Sequence, residues 1–297
     1  MGRIRAFLSD VVRQSDLVLL ALCVTSTLFG MVLIASATYY RHTMRYVMVQ
    51  GFGLFLGVLL YFFLSAVDVG ELSKKWKWLL GFNVVFILLL RSPFGLARGG
   101  NRAWLGVNDI GERLGVKFLE DFPITVQPAE IVKITFIILL ARQLALLSEK
   151  RDLTRLANVI QPTAHAGLMF LFYYVISKDA GSGLVYLFVF VCMAFAAGFA
   201  LRWIFLGVGG AVGGFLAAWN LNLLRGDWYG RIKVILDHSY DVQGKGFQQT
   251  RGLLALGSGG LTGQGLFHGT QTQSSSKWSL PERQTDFIFC VCGEELG

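Results

Sequence analysis

The sequence predicts an all-α, polytopic integral membrane protein with seven transmembrane helices, the start of an eighth, and large extracellular loops. Three observations carry this. Hydrophobic residues make up 54% of the 297-residue chain and charged residues 15%, where a soluble domain has about 25% charged; mean hydropathy is +0.55. The apolar residues gather into runs near the roughly 20 residues that span a bilayer. Basic residues concentrate in alternate connections between those runs.

The runs lie roughly at 17–37, 46–67, 76–91, 130–147, 163–177, 183–199 and 203–222, and an eighth begins near Asp286. Each is read as a helix, because lipid offers backbone N–H and C=O groups no other partner. Arg3, Arg5 and Arg13 precede the first run, Lys74, Lys75 and Lys77 flank the start of the third, Arg142, Lys150, Arg151 and Arg155 precede the fifth, and Arg202 the seventh. Lys and Arg accumulate in cytoplasmic loops, so the N-terminus is placed in the cytoplasm. Arg41 and Arg45 dissent: they fall in the opposite, outward connection. That topology leaves 92–129, 177–182 and 223–285 outside, the first and last too long to be simple turns. The last mixes Gly, Gln and Ser with apolar residues, which predicts short helices on or re-entering the membrane.

Composition also excludes readings. The net charge of +8 is explained by cytoplasmic loops without invoking nucleic acid. Cys23, Cys192, Cys290 and Cys292 lie in apolar stretches with no CxxC spacing, and His42, His165, His238 and His268 are scattered. Neither pattern reads as a metal site or disulfide framework. The first apolar run lacks a cleavage site, so no cleavable signal peptide is expected. The stretch Gly257–Gly265 has no following Gly-Lys-Ser/Thr and no βαβ context. It is read as a bend where backbone passes close to a headgroup or sugar, not as a nucleotide loop.

Four stretches carry candidate chemistry. In Gln127-Pro128-Ala129-Glu130-Ile131-Val132-Lys133, Pro128 suits a first helical turn, and Glu130 and Lys133 share one helix face. They are either a structural ion pair or a site at a water-filled cavity, with Lys133 on a phosphate oxygen and Glu130 orienting it. Upstream, Arg102 offers a planar fork to a phosphate and Trp104 an interfacial anchor. Asp179, in Lys178-Asp179-Ala180-Gly181-Ser182, is either a cap or a functional carboxylate. In Ser279–Phe289, Thr285 is expected to cap the eighth helix with Asp286 in its first turn. Glu294 and Glu295 then lie about 12 Å deeper; Glu294 falls nearer the Asp286 face and Glu295 opposite it. Two carboxylates at that depth are costly unless paired or hydrated.

Gln248, Gly257–Gly265, Leu280-Pro281-Glu282, Thr285-Asp286-Phe287 and Gly293-Glu294-Glu295-Leu296-Gly297, with the Gln127–Lys133 block, together resemble the shape, elongation, division and sporulation (SEDS) family of RodA, FtsW and SpoVE. The resemblance extends over essentially the whole chain, read as one SEDS-type transmembrane domain at 1–297. It implies a peptidoglycan glycosyltransferase with about ten membrane helices. Such an enzyme joins lipid II units outside the cytoplasmic membrane and works with a class B penicillin-binding protein. It places the family's essential aspartate on Asp286, its first-loop basic residue on Arg102, and its Glu and Lys on Glu130 and Lys133. Trp104, Asp179, Gln248, Pro281, Glu282, Thr285, Glu294 and Glu295 are supporting residues on this reading. A divalent cation, Mg or Mn, would help bind pyrophosphate, although no ligand cluster demands one. Four departures stand out. Ala103 separates Arg102 from Trp104 where the family reads Arg-Trp, Asp109–Pro123 reads as an expanded loop with extra charge, the family's Asp-Leu-Gly-Thr appears as Asp179-Ala180-Gly181-Ser182, and the chain ends as the eighth helix begins. The last leads to the expectation of a piece of a longer protein. The competing functions are a lipid II flippase and a non-catalytic scaffold for the penicillin-binding protein.

Overall fold

In a medium without water a segment must satisfy its own backbone, and the computed structural model shows a helix at every one of the apolar runs. It describes residues 15–98, 100–117, 125–150, 153, 155–221, 227–237, 241, 243–244 and 246–297. In chain order the helices are α1 (Leu17–Tyr39), α2 (Arg45–Ser65), α3 (Val69–Lys74), α4 (Trp76–Leu88, continued by a 3-10 turn Leu89–Arg91), α5 (Asn108–Leu114), α6 (Pro128–Lys150), α7 (Leu156–Ser177), α8 (Ala180–Ala196), α9 (Leu201–Asn220), α10 (Asp227–Leu236), α11 (Phe247–Gly259) and α12 (Ile288–Leu296). Two strands, β1 (Gly95–Arg98) and β2 (Asn101–Leu105), precede α5. Among the described helices, α1, α2, α6, α7 and α9 are long and apolar enough to cross a membrane. The chain is therefore a multi-pass membrane protein. Helix α8, with 17 residues, and α4, with 13, are shorter. At 1.5 Å per residue, α4 reaches about 20 Å against a hydrocarbon core of about 30 Å.

Boundaries differ from the sequence reading where a proline misleads. The fifth run was expected from 163, yet α7 begins at Leu156 and carries Pro162 inside it. Pro128 behaves as expected and opens α6. The loop segments expected as short helices contain α10 and α11; residues 118–124 and 238–240 of the two long loops lie outside the described residues.

The chain divides into two units, one of residues 1–67 with 218–297 and the other of 68–217. The core of the second is aliphatic and aromatic: Leu90, Val132, Phe136, Leu140, Tyr173 and Tyr186 are fully buried between α4, α6, α7 and α8. Tyr186 meets Phe136 edge-on at 5.3 Å and donates its hydroxyl to the Ala129 carbonyl at 3.1 Å. That bond ties α8 to the first turn of α6.

In the first unit, α11 and α12 approach through glycines. A β-carbon on Gly259 would collide with the Gly293 carbonyl oxygen and come within 2.8 Å of the Glu294 Cα. One on Gly252 would meet the Cys290 sulfur at 3.0 Å. Small residues allow membrane helices this closeness. Beyond α11 the chain turns back, with Gly263 at φ 73°. Gln264 and Gly265 then donate backbone N–H bonds to the carbonyls of Glu294 and Glu295, both at 2.9 Å. The glycine run is thus a bend, but the backbone it approaches is the protein's own α12. Gly259→Ala is expected to force α11 and α12 apart and destabilise the protein by about 1–3 kcal/mol, as overpacking does. Thermal unfolding of the purified variant checks this, and an unchanged midpoint would show that the two helices yield.

Candidate functional site

Each unit carries its own polar cluster. In unit 68–217, β1 and β2 form an antiparallel hairpin with an irregularity between Leu96 and Arg98. Leu105 exchanges backbone hydrogen bonds with Val126 at 2.7 and 2.8 Å, which stitches β2 to the entry of α6. Ala103 points inward, 2% exposed, so Arg102 and Trp104, two apart on a strand, share the other face. The inserted alanine therefore leaves Arg and Trp on one side. Arg102 is half-buried and already employed: Nε donates to the Gly95 carbonyl at 3.1 Å and Nη2 to that of Ser92 at 3.3 Å. Its fork braces the hairpin, with Nη1 making no bond of its own in these two contacts.

At the start of α6, Lys133 and Glu130 form an ion pair at 2.8 Å. The Lys133 side chain is 21% exposed and that of Glu130 58%, so the pair is partly open to its surroundings and contributes little to stability by itself. Lys178, at φ 62°, closes α7, and Asp179 opens α8. The Asp179 carboxylate accepts the Ser182 N–H at 3.2 Å and the Ser182 hydroxyl at 2.6 Å. The Gln127 amide donates to Ser182 Oγ at 3.0 Å and to Asp179 at 3.4 Å. Asp179 is thus a helix cap in contact with the residue that leads into α6, a role its spacing left open.

In the other unit the sequence reading is corrected at Asp286. Helix α12 starts at Ile288 with Phe287 as its N-cap residue and no side-chain cap. Thr285 is not the cap: its hydroxyl donates to the Glu282 carbonyl at 3.3 Å. Asp286 therefore stands on a turn before the helix, and the helical-face comparison with Glu294 and Glu295 does not apply to it. Nothing in Leu280–Phe287 supplies a capping geometry, because Glu282 at φ 40° bends the chain into a tighter turn. The Thr285 and Phe287 N–H groups both donate to the Glu282 carbonyl, at 3.1 and 3.2 Å. Pro281 fixes the entry to this turn. Asp286 itself is exposed and makes no hydrogen bond or ion pair among the described residues. Gln248, on α11, is likewise exposed.

The two glutamates that looked expensive are solvated by the protein. Glu294 is 0% and Glu295 1% exposed. Glu294 accepts the N–H groups of Gln271 at 2.7 Å and Thr272 at 2.9 Å, with the hydroxyls of Thr272 at 2.7 Å and Thr270 at 3.1 Å. Glu295 accepts the Ser36 hydroxyl at 2.6 Å, the N–H groups of Phe267 at 3.1 Å and Gly269 at 3.3 Å, and the Gln273 amide at 3.1 Å. Neither is in an ion pair among the described residues. Both organise the loop between α11 and α12, and Ser36 attaches that loop to α1.

Arg283 is the residue the sequence reading missed. It is 5% exposed. Nη1 donates to the carbonyls of Gln271, Thr272 and Ser274, and Nη2 to the Ser279 hydroxyl at 2.9 Å. Its guanidinium lies 4.0 Å from the centre of the Tyr40 ring. Burial lowers its pKa, as does Arg41 nearby, while Tyr40 and Glu294 push it back up. An Arg beside Glu in a polar loop was the only sequence signal, and carbonyl partners leave no signature of their own. Among the described residues no three His, Cys, Asp or Glu side chains gather as metal ligands do.

A multi-pass helical membrane protein with this ordered loop between α11 and α12 invites comparison with known proteins. The FtsW/RodA/SpoVE family, described as cell cycle protein, matches residues 16–297, and the chain belongs to it. Stage V sporulation protein E of Bacillus subtilis (strain 168) is 33% identical over 249 residues, 82% of this chain and 60% of that protein. A "Probable peptidoglycan glycosyltransferase FtsW" of Geobacter sp. (strain M18) is 30% identical over 300 residues, 95% of this chain and 72% of that protein. Its namesake in Thiomicrospira cyclica is 32% identical over 302 residues, 96% and 68%. The chain thus spans about three fifths to three quarters of the length of these relatives. A chain from a solved peptidoglycan synthase complex, described as coordinating polymerization and crosslinking, shares the fold with TM-score 0.68 at 24% identity, over 95% of this chain and 71% of that one.

Proposed function

We propose that the protein is a peptidoglycan glycosyltransferase that polymerises lipid II at the outer face of the bacterial cytoplasmic membrane, in cell elongation, division or shape control. The relatives named as glycosyltransferases support the activity. The observation that carries the site is Asp286: an exposed, unpartnered carboxylate on a turn held by Glu282 and Arg283. A general base needs to meet its proton donor within hydrogen-bond reach, and a carboxylate with no internal partner is free to do so. A sugar hydroxyl attacks the anomeric carbon of a second lipid II. Its proton passes to Asp286, the new glycosidic C–O bond forms, and the bond to undecaprenyl pyrophosphate breaks with its electron pair leaving on the phosphate oxygen. Arg102 and Lys133 are assigned to the pyrophosphate, whose charge they offset, and Glu130 to orienting Lys133. Basic connections support a cytoplasmic N-terminus, and on this reading Asp286 lies outside. A class B penicillin-binding protein is the partner that crosslinks the product.

Labelled lipid II supplied to the protein purified with that partner is expected to yield glycan strands. Absence of strands, with partner and a divalent cation both present, overturns the reading in favour of a flippase or a scaffold.

A further inference from the structure

A cleft of about 560 Å³ opens in unit 1–67 with 218–297, against the turn that carries Asp286. Its lining is polar: Tyr40, Arg41, Tyr46, Lys277, Glu282 and Arg283 contribute, with several serines. Two guanidiniums lie against one aromatic ring, Arg283 at 4.0 Å and Arg41 at 5.2 Å from the centre of Tyr40. The buried Arg283 is occupied by carbonyls. Arg41 and Lys277 are exposed, and neither meets a carboxylate among the described residues. The carboxylate in the lining, Glu282, is turned to Gln284 at 3.3 Å and Thr285 at 3.4 Å.

This arrangement accounts for an anomaly of the sequence. Arg41 sits in the connection between α1 and α2, on the side where arginines are disfavoured. A cation kept against that bias, beside a second guanidinium that repels it, is stabilised if an anion enters the cleft. Three cations around a polar hollow with hydroxyl donors suit phosphoryl oxygens, which accept several charge-assisted hydrogen bonds at once.

We propose that this cleft binds a phosphate-bearing anion presented at the membrane surface, with Arg41 and Lys277 as its direct ligands and Arg283 as its fixed floor. The source is the diphosphate of a prenyl-linked substrate or a phospholipid headgroup. Assignment to a prenyl diphosphate rests on the glycosyltransferase reading; the anion site itself does not. It is a second cationic set, separate in the chain from Arg102 and Lys133.

The test needs no turnover. Inorganic pyrophosphate is titrated calorimetrically into the protein in phosphatidylcholine nanodiscs. Arg41→Gln and Lys277→Gln should each weaken binding about tenfold, the lower end for a charged hydrogen bond, while Lys74→Gln, in an exposed pair with Glu71, leaves it unchanged. In the unmodified protein, pyrophosphate should slow acylation of Lys277 and not of Lys74. Equal binding by both cleft variants, an equal loss in Lys74→Gln, or unprotected Lys277 overturns the proposal. Displacement of pyrophosphate by added phosphatidylglycerol identifies headgroups as the occupant. Tighter binding of farnesyl pyrophosphate without that displacement identifies a prenyl diphosphate. Failure to polymerise lipid II leaves this binding result standing.

Discussion

Glu294→Ala is expected to destabilise the protein by about 3–5 kcal/mol, the largest stability loss anticipated for any single substitution in its loop. The variant orphans the Gln271 and Thr272 N–H groups, each bonded at under 3 Å to the lost carboxylate. A buried unpaired donor costs about 1–3 kcal/mol. A cavity is added where the side chain was fully enclosed. The conservative Glu294→Gln change separates the two contributions: it restores volume, yet its amide NH2 must face one of the two backbone N–H groups, and a donor cannot accept. We expect the glutamine variant to lose about 1–3 kcal/mol and Glu282→Ala, at an exposed position, to lose less than either. Chemical unfolding in detergent ranks the three. An alanine variant as stable as the parent would mean that the loop does not depend on this carboxylate.

The same residue shows what the sequence made legible. Cost was readable: two adjacent carboxylates in an apolar segment demand compensation. The compensators were not: about half of the donors are backbone N–H groups, of Phe267, Gly269, Gln271 and Thr272, and every residue type except proline carries one. The positions of the spanning helices were legible from apolar runs alone. The start of α7 was not, since Pro162 reads as a boundary and is carried inside the helix. Arg283 and its ring partner Tyr40 are 243 residues apart in sequence (283 minus 40), a contact no local pattern encodes. The turn at Glu282 was hidden for a different reason. A glutamate at positive φ is uncommon, so the residue type did not announce the turn, and Asp286 was placed in the first turn of a helix that begins two residues later, at Ile288.

Asp286→Asn is expected to reduce lipid II polymerisation at least 100-fold, within the 10² to 10⁴ range of a positioned general base. Asparagine matches aspartate in size and still accepts a hydrogen bond through its carbonyl oxygen, but it cannot take the proton that the attacking hydroxyl must lose. Because Asp286 is exposed and bonded to nothing among the described residues, the variant should unfold like the parent. That pairing of outcomes gives the test its force. At Glu294 an inactive variant says little, since the loop that shapes the region would be lost with it. At Asp286, lost strands with an unchanged unfolding midpoint and retained pyrophosphate binding leave proton transfer as the missing step. Full activity in Asp286→Asn removes the general base from the mechanism. Inactivity accompanied by a lowered midpoint makes the residue a structural one, and a scaffold for the penicillin-binding protein then fits the turn better than an enzyme does. A flippase predicts a fourth pattern, in which lipid II still crosses the bilayer in the variant and no strands form in the parent.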